Sequence, residues 1–89
     1  MNEVWIFSGS GGKFASGVFS DKDQAILWIE SKKLTGVLTK YPVNFGMYDW
    51  AIKNDFFTPM KEHEFTPEFE QRFTCASQEH YHFEDGIRG

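Results

Sequence analysis

Cysteine, proline and positive charge are all scarce in this 89-residue sequence, and no long apolar run is present. The single cysteine, Cys75, can form no internal disulfide. That excludes the stapled scaffolds on which small secreted chains depend. No stretch approaches the roughly 20 apolar residues that a membrane helix requires. The opening MNEVWIF has no basic segment leading into an apolar run of signal length. A soluble, cytoplasmic protein that engages no membrane is therefore expected. Nine Lys and Arg stand against thirteen Asp and Glu, for a net charge of −4. Such a surface repels phosphate backbones, so nucleic acid is not an expected partner. The same acidity keeps a small protein soluble and complements a basic protein partner. There is no repeat, low-complexity tract or linker, so residues 1–89 are expected to form one domain.

Aromatic residues are abundant. Ten Phe, three Trp and three Tyr can fill a core from few positions, since each ring buries a large area. Disorder of the bulk of the chain is excluded on the same ground.

Val4-Trp5-Ile6-Phe7 and Phe14-Ala15-Ser16-Gly17-Val18-Phe19 are two β-prone runs around the loop Ser8–Gly12. They predict an antiparallel hairpin. Ser20 or Asp21 can cap a helix over residues 21–33, with Ala25, Trp28 and Ile29 at helical spacing and Lys32 and Lys33 in the last turn. Thr35–Tyr41 reads as a strand that Pro42 ends. Met47–Asn54 reads as a short helix with a stop at Asn54-Asp55, because Asn tolerates the left-handed conformation. Phe56–Phe65 has no clean period and carries Pro59 and the charged Lys61-Glu62-His63-Glu64, so a loop is expected. Thr66-Pro67-Glu68 opens a third helix predicted to run to about Ser77. Residues 78–84 alternate as a strand, Asp85-Gly86 ends it, and residues 87–89 are expected to form a flexible tail. The fold class predicted is α+β: about four strands in a mostly antiparallel sheet, in the order β-β-α-β-α-α-β, with helices packed on one face.

Several segments invite a chemical reading. Gly11-Gly12-Lys13 evokes a phosphate-binding loop, but that loop needs Gly where Phe7 stands and Ser or Thr where Phe14 stands. It also needs a helix next, and here a strand follows. His80 and His82 lie on one face of the last predicted strand, with Gln78 and Glu84, about 7 Å apart by strand rise. Such a pair can hold a metal through two imidazoles, and a zinc site needs two further ligands if structural, or one or two plus water if catalytic. His63, Glu62, Glu64, Glu84 and Cys75 carry no diagnostic spacing, and neither H-E-x-x-H nor C-x-x-C occurs. His80, His82 and His63 are thus the candidate ligands, with no metal or cofactor assigned. General acid–base chemistry by the pair ranks below the metal reading, because Glu79, Glu84 and Asp85 would repel a phosphodiester. The plainer reading is a polar strand face. Cys75 has no neighbour in sequence that would activate its thiol.

Sixteen aromatic rings are many for one small core. Exposed rings among Phe56, Phe57 and Phe65 would mark a binding surface. The candidate partner-binding residues are Phe56, Phe57, Glu62, Glu64, Phe65, His80, His82 and Glu84.

Val4–Phe7, Ser16–Phe19, Leu34–Pro42, Tyr48–Ile52 and Ala76–His82 together resemble a family of small single-domain bacterial proteins of unknown function. The resemblance covers nearly the whole chain and implies a stand-alone domain. In that family's pattern Gly often follows the asparagine of the second helix, where this chain has Asp55. The family supplies no activity, so no catalytic role follows. The expected function is a non-enzymatic protein-interaction module, immunity- or antitoxin-like in its most concrete form. The alternative is a metal-dependent or histidine-based hydrolase using His80 and His82. An exposed strand edge or exposed aromatics could also make a homodimer.

Overall fold

A computed structural model describes residues 2–89. The chain divides into two compact units. One comprises residues up to Val43 together with Gln78–Gly89, and the other comprises Asn44–Ser77. No helix among the described residues is long and apolar enough to cross a membrane.

The first unit is a five-stranded sheet with one helix. Strands β1 (Glu3–Gly9), β2 (Gly17–Phe19), β3 (Gly36–Pro42), β4 (His80–Glu84) and β5 (Ile87–Arg88) lie in the order β2-β1-β3-β4-β5. Every pairing is antiparallel. The registers Trp5↔Phe19 and Phe7↔Leu38↔Tyr81 put these side chains on one face. Val4, Ile6, Val18, Val37, Thr39, Tyr41, His80 and His82 alternate onto the other.

Helix α1 (Lys22–Lys32) covers the first face. Its N-terminus is capped by Asp21, whose Oδ1 accepts from the Asp23 N–H at 3.1 Å. Ala25 and Ile29 are fully buried and meet Trp5, Phe7, Leu38 and Phe83, with Trp28 packed against the cluster. Phe7, Ile29 and Leu38 are the largest side chains wholly removed from water. Each contributes about 1.5–3 kcal/mol of hydrophobic stabilisation. The helix closes with Lys33 in the left-handed region (φ 56) and with the Leu34 N–H donating to the Ile29 carbonyl at 3.0 Å.

The sheet has one strand more than the sequence predicts. Asp85 and Gly86 adopt φ 51 and φ 81, the two-residue hairpin turn that an Asp-Gly pair favours. The turn reverses the chain, so the expected tail contains β5, and the Gly89 N–H donates to the His82 carbonyl at 2.9 Å. Gly86 is buried and its N–H donates to Leu34 at 2.8 Å. A Cβ there would stand 2.9 Å from the Lys33 Cα, so this turn admits only glycine beside the end of α1.

The second unit holds α2 (Met47–Lys53), a 3₁₀ turn over Glu62–Phe65 and α3 (Pro67–Gln71). Asp55, rather than Asn54, takes the left-handed conformation after α2 (φ 61). Helix α3 starts as expected, with the Thr66 hydroxyl accepting from the Phe69 N–H and Pro67 at its first position. It does not reach Ser77. Arg72 leaves the helical region at ψ 0, and the Phe73 N–H makes only a tightened bond to Glu70. Thr74, Cys75 and Ser77 are weak helix formers, and they offer little to continue the helix. The predicted loop over 56–65 is likewise ordered in part by the 3₁₀ turn.

The interior of this unit is aromatic. Tyr48, Phe57, Phe69 and Phe73 form a box with ring centroids 5.0–6.2 Å apart. Edge-to-face and offset pairs at such distances add about 0.5–1.5 kcal/mol each beyond burial. The Tyr48 hydroxyl donates to the Glu64 carbonyl at 2.7 Å, which ties α2 to the 3₁₀ turn. Burial raises the Tyr48 phenol above its ordinary pKa.

Candidate functional site

The residues singled out from the sequence fall on both units. In the 44–77 unit, Phe56 and Phe65 are 50% and 64% exposed, and the adjacent Met60 is 83% exposed. Phe57 is different: it is part of the aromatic box. The segment has no period, so the sequence could not sort its outward rings from the inward one. Phe56 leans on Trp50 at 5.3 Å between centroids and keeps its outer surface in water. Phe45 is also exposed, with the Lys53 ammonium 5.2 Å from its ring.

The two glutamates have separate roles. Glu62 is exposed. Glu64 is half-buried and turned onto its own backbone, where one carboxylate oxygen accepts from the Met60 and Lys61 N–H groups at 2.9 Å each. These donors hold its pKa below the usual carboxylate range, Lys61 contributing most. Glu64 therefore shapes the turn that presents Met60 and Phe65.

Two cavities lie on different sides of α3, each of ≈ 480 Å³. Gly46, Met47, Tyr48, Phe65 and Glu70 help line one. His63, Glu68, Phe69, Arg72 and Phe73 help line the other, with the His63 ring edge-on to Phe69 at 5.8 Å. Both combine aromatic walls with charged groups. The sequence shows no sign of them, because they arise where the helix and the 3₁₀ turn converge.

The unit is also the acidic part of the chain. Asp49, Asp55, Glu62, Glu64, Glu68 and Glu70 face only Lys53, Lys61 and Arg72. Three of the four net negative charges therefore reside here.

On the sheet, His80, His82 and Glu84 are exposed along β4, while Tyr81 and Phe83 turn inward. This is the alternation the sequence predicts from His80 onward, whereas Gln78 precedes the strand and is buried rather than exposed beside the histidines. The His80 and His82 ring centroids are 5.3 Å apart. His80 Nδ1 lies 2.7 Å from the Gln78 carbonyl. Gln78 is buried, and its amide donates to the Lys40 carbonyl at 3.1 Å. Among the described residues, no three His, Cys, Asp or Glu come together to hold a metal ion. The pair stands on an exposed strand face.

The inner face of the same strand carries an ion network. Lys40 Nζ is 3.2 Å from Glu79 and 3.6 Å from Glu3, and Lys22 Nζ is 3.9 Å from Glu79. The Tyr81 hydroxyl donates to Glu79. That hydroxyl, and then Lys40, hold the Glu79 carboxyl below its ordinary range, while Glu79 holds the Lys40 ammonium above its own. The Lys22 ammonium also lies 5.3 Å from the Tyr81 ring, and the Arg88 guanidinium 4.9 Å. Every carboxylate here has a partner, so the network braces the sheet.

A five-stranded antiparallel sheet with one covering helix, and an acidic unit that displays aromatic side chains, define a small α+β protein. Residues 4–89 match the family model described as Domain of unknown function (DUF7710), and the chain belongs to that family. No curated protein and no solved structure matches it.

Proposed function

We propose that this chain is a protein-interaction module and that its 44–77 unit engages a basic partner. One observation carries the reading: Phe56, Met60 and Phe65 stand exposed on the unit that holds most of the net negative charge. Large exposed apolar side chains on a small unit mark interaction surfaces, and aromatics are the residues that dominate binding energy. The surrounding acids favour a partner of opposite charge, speeding encounter and rejecting acidic competitors. Phe56, Met60, Glu62 and Phe65 are the contact residues of this reading, and Glu64 is a positioning residue.

In its narrowest form the partner is a basic toxin or nuclease of a bacterial cytoplasm, which the chain holds inactive. Small size and acidity support that form. The test is affinity purification of the chain from its own host, with native mass spectrometry of the eluate. A stoichiometric basic partner should accompany the parent chain and be lost from a Phe56→Ser/Phe65→Ser variant that remains folded. Retention of the same partner by that variant would overturn the assignment of the surface. For the toxin form, cells lacking the chain should fail to tolerate the partner's gene, and unchanged growth would remove that form alone.

A further inference from the structure

The geometry points to a two-histidine binding site for a first-row divalent cation on β4, formed by His80 and His82. This goes beyond the interaction reading and does not depend on it.

A zinc ion sits about 2.0–2.1 Å from an imidazole nitrogen, which places the ring centroid about 3.2 Å from the metal. At a tetrahedral angle, two such rings have centroids about 5.2 Å apart. The His80 and His82 centroids are 5.3 Å apart. Their alternation along a strand sets this distance, because residues two apart share a face and both rings project from one pleat.

The second observation is orientation. A ligating histidine characteristically donates its other ring N–H to a carbonyl or carboxylate, which fixes the tautomer and raises the basicity of the free nitrogen. His80 Nδ1 is 2.7 Å from the Gln78 carbonyl oxygen, a group that can only accept. Nδ1 therefore carries the proton when the ring is neutral, and Nε2 presents its lone pair. The carbonyl is itself held in place, since Gln78 is buried and its side chain is anchored on the Lys40 carbonyl.

The third observation is charge. Thr39 and Val37 stand opposite His80 and His82 across β3, and neither is charged. Lys40 and Arg88 are in register with Trp5 and Phe83, and so belong to the inner face. No strand lysine or arginine shares the histidine face, and Glu84, two residues beyond His82, adds a negative charge there. A cation meets no opposing charge from the strands.

Two imidazoles suit Zn²⁺, Ni²⁺ and Cu²⁺ rather than Mg²⁺ or Ca²⁺, which require oxygen ligands. The pair fills two coordination positions and leaves the rest for water, for a partner's side chain or for the same pair on a second copy of this chain.

The test is calorimetric titration of the intact protein with Zn²⁺ and with Ni²⁺, alongside His80→Ala, His82→Ala, the double variant and His63→Ala. Both histidines are exposed, so all variants should melt like the parent in EDTA. The parent should bind one ion per chain, or one per two chains where a second copy completes the shell. Each single variant at β4 should weaken binding at least tenfold, and His63→Ala should leave it intact. The Co²⁺ spectrum of the parent should carry an imidazole-dependent band that the double variant lacks. Binding that the double variant retains, or that His63→Ala abolishes, would overturn the site.

Discussion

Gly36→Ala is the most searching perturbation of the sheet. Gly36 pairs with Gly9 on β1 and with Phe83 on β4, so it lies where three strands converge. A Cβ at this position would stand 2.3 Å from the Ser8 carbonyl oxygen, 2.7 Å from the Phe7 ring and 2.9 Å from the Gly9 Cα. The first and last of these are backbone atoms, which cannot rotate aside. The oxygen lies roughly 1 Å inside ordinary contact, so β1 and β3 would have to separate by a similar amount from their normal spacing of about 4.8 Å. Overpacking typically costs about 1–3 kcal/mol, and the rigid backbone puts this case at or above the top of that range.

Two other glycines calibrate the effect. At Gly17 the atoms met are side chains, Phe19 at 2.8 Å and Trp28 at 3.0 Å, which can shift. At Gly11 nothing lies within 4 Å, and only its φ of +80° opposes alanine. That leaves the left-handed penalty of about 1–2 kcal/mol. Urea unfolding followed by circular dichroism should therefore rank the losses Gly36→Ala above Gly17→Ala above Gly11→Ala. For a chain of this size, 3 kcal/mol corresponds to about 12–24 °C in Tm. A Gly36→Ala protein no less stable than Gly11→Ala would refute the close approach of β1 and β3.

Other outcomes follow from the same structure. Lys33→Gly and Asp55→Gly should each raise stability by about 0.5–1 kcal/mol, measured by urea titration, because both positions are left-handed (φ 56 and 61). Glu79 has a lowered pKa, so its contribution is complete above the ordinary carboxylate value and is lost as pH falls through the lowered one. Lys40 has a raised pKa, so its contribution is complete below the ordinary lysine value and is lost as pH rises through the raised one. The side chains are 34% and 40% exposed. Glu79→Gln should therefore remove only a few tenths of a kcal/mol near neutrality and lessen the loss of stability below about pH 4. Glu64→Gln should speed amide exchange at Met60 and Lys61, whose N–H groups its carboxylate accepts.

Alternation made the two faces of β4 readable and helical spacing made α1 readable, because both elements bury one face and expose the other. Ala25, Trp28 and Ile29 stand where the spacing puts them. The fifth strand escaped because two residues are too few to show a period. Its only signal was Asp85-Gly86, which in the structure is a hairpin turn instead of a strand stop. Helix α3 was overextended because Phe69 and Phe73 share helical spacing. In the structure both rings are collected by Tyr48 and Phe57, and the helix can end at Gln71 without losing them. The exposed faces of His80 and His82 were readable from alternation. The anchoring of His80 on the Gln78 carbonyl was not, since it depends on a buried amide reaching β3 from 38 residues away. Glu64 stood among the candidate partner-binding residues, and only the turn of the backbone reveals it as a brace.

Phe56, Met60 and Phe65 stand exposed on the acidic 44–77 unit. Site-specific photocrosslinking in the host tests this surface most directly, with a benzophenone side chain at Phe65 and a control at Leu27, which is comparably exposed on α1. One dominant adduct with a basic protein is expected at position 65, none at position 27, and loss of the adduct when Glu62→Lys is added. Equal labelling at both positions, or an adduct indifferent to Glu62→Lys, would contradict the assignment of this surface.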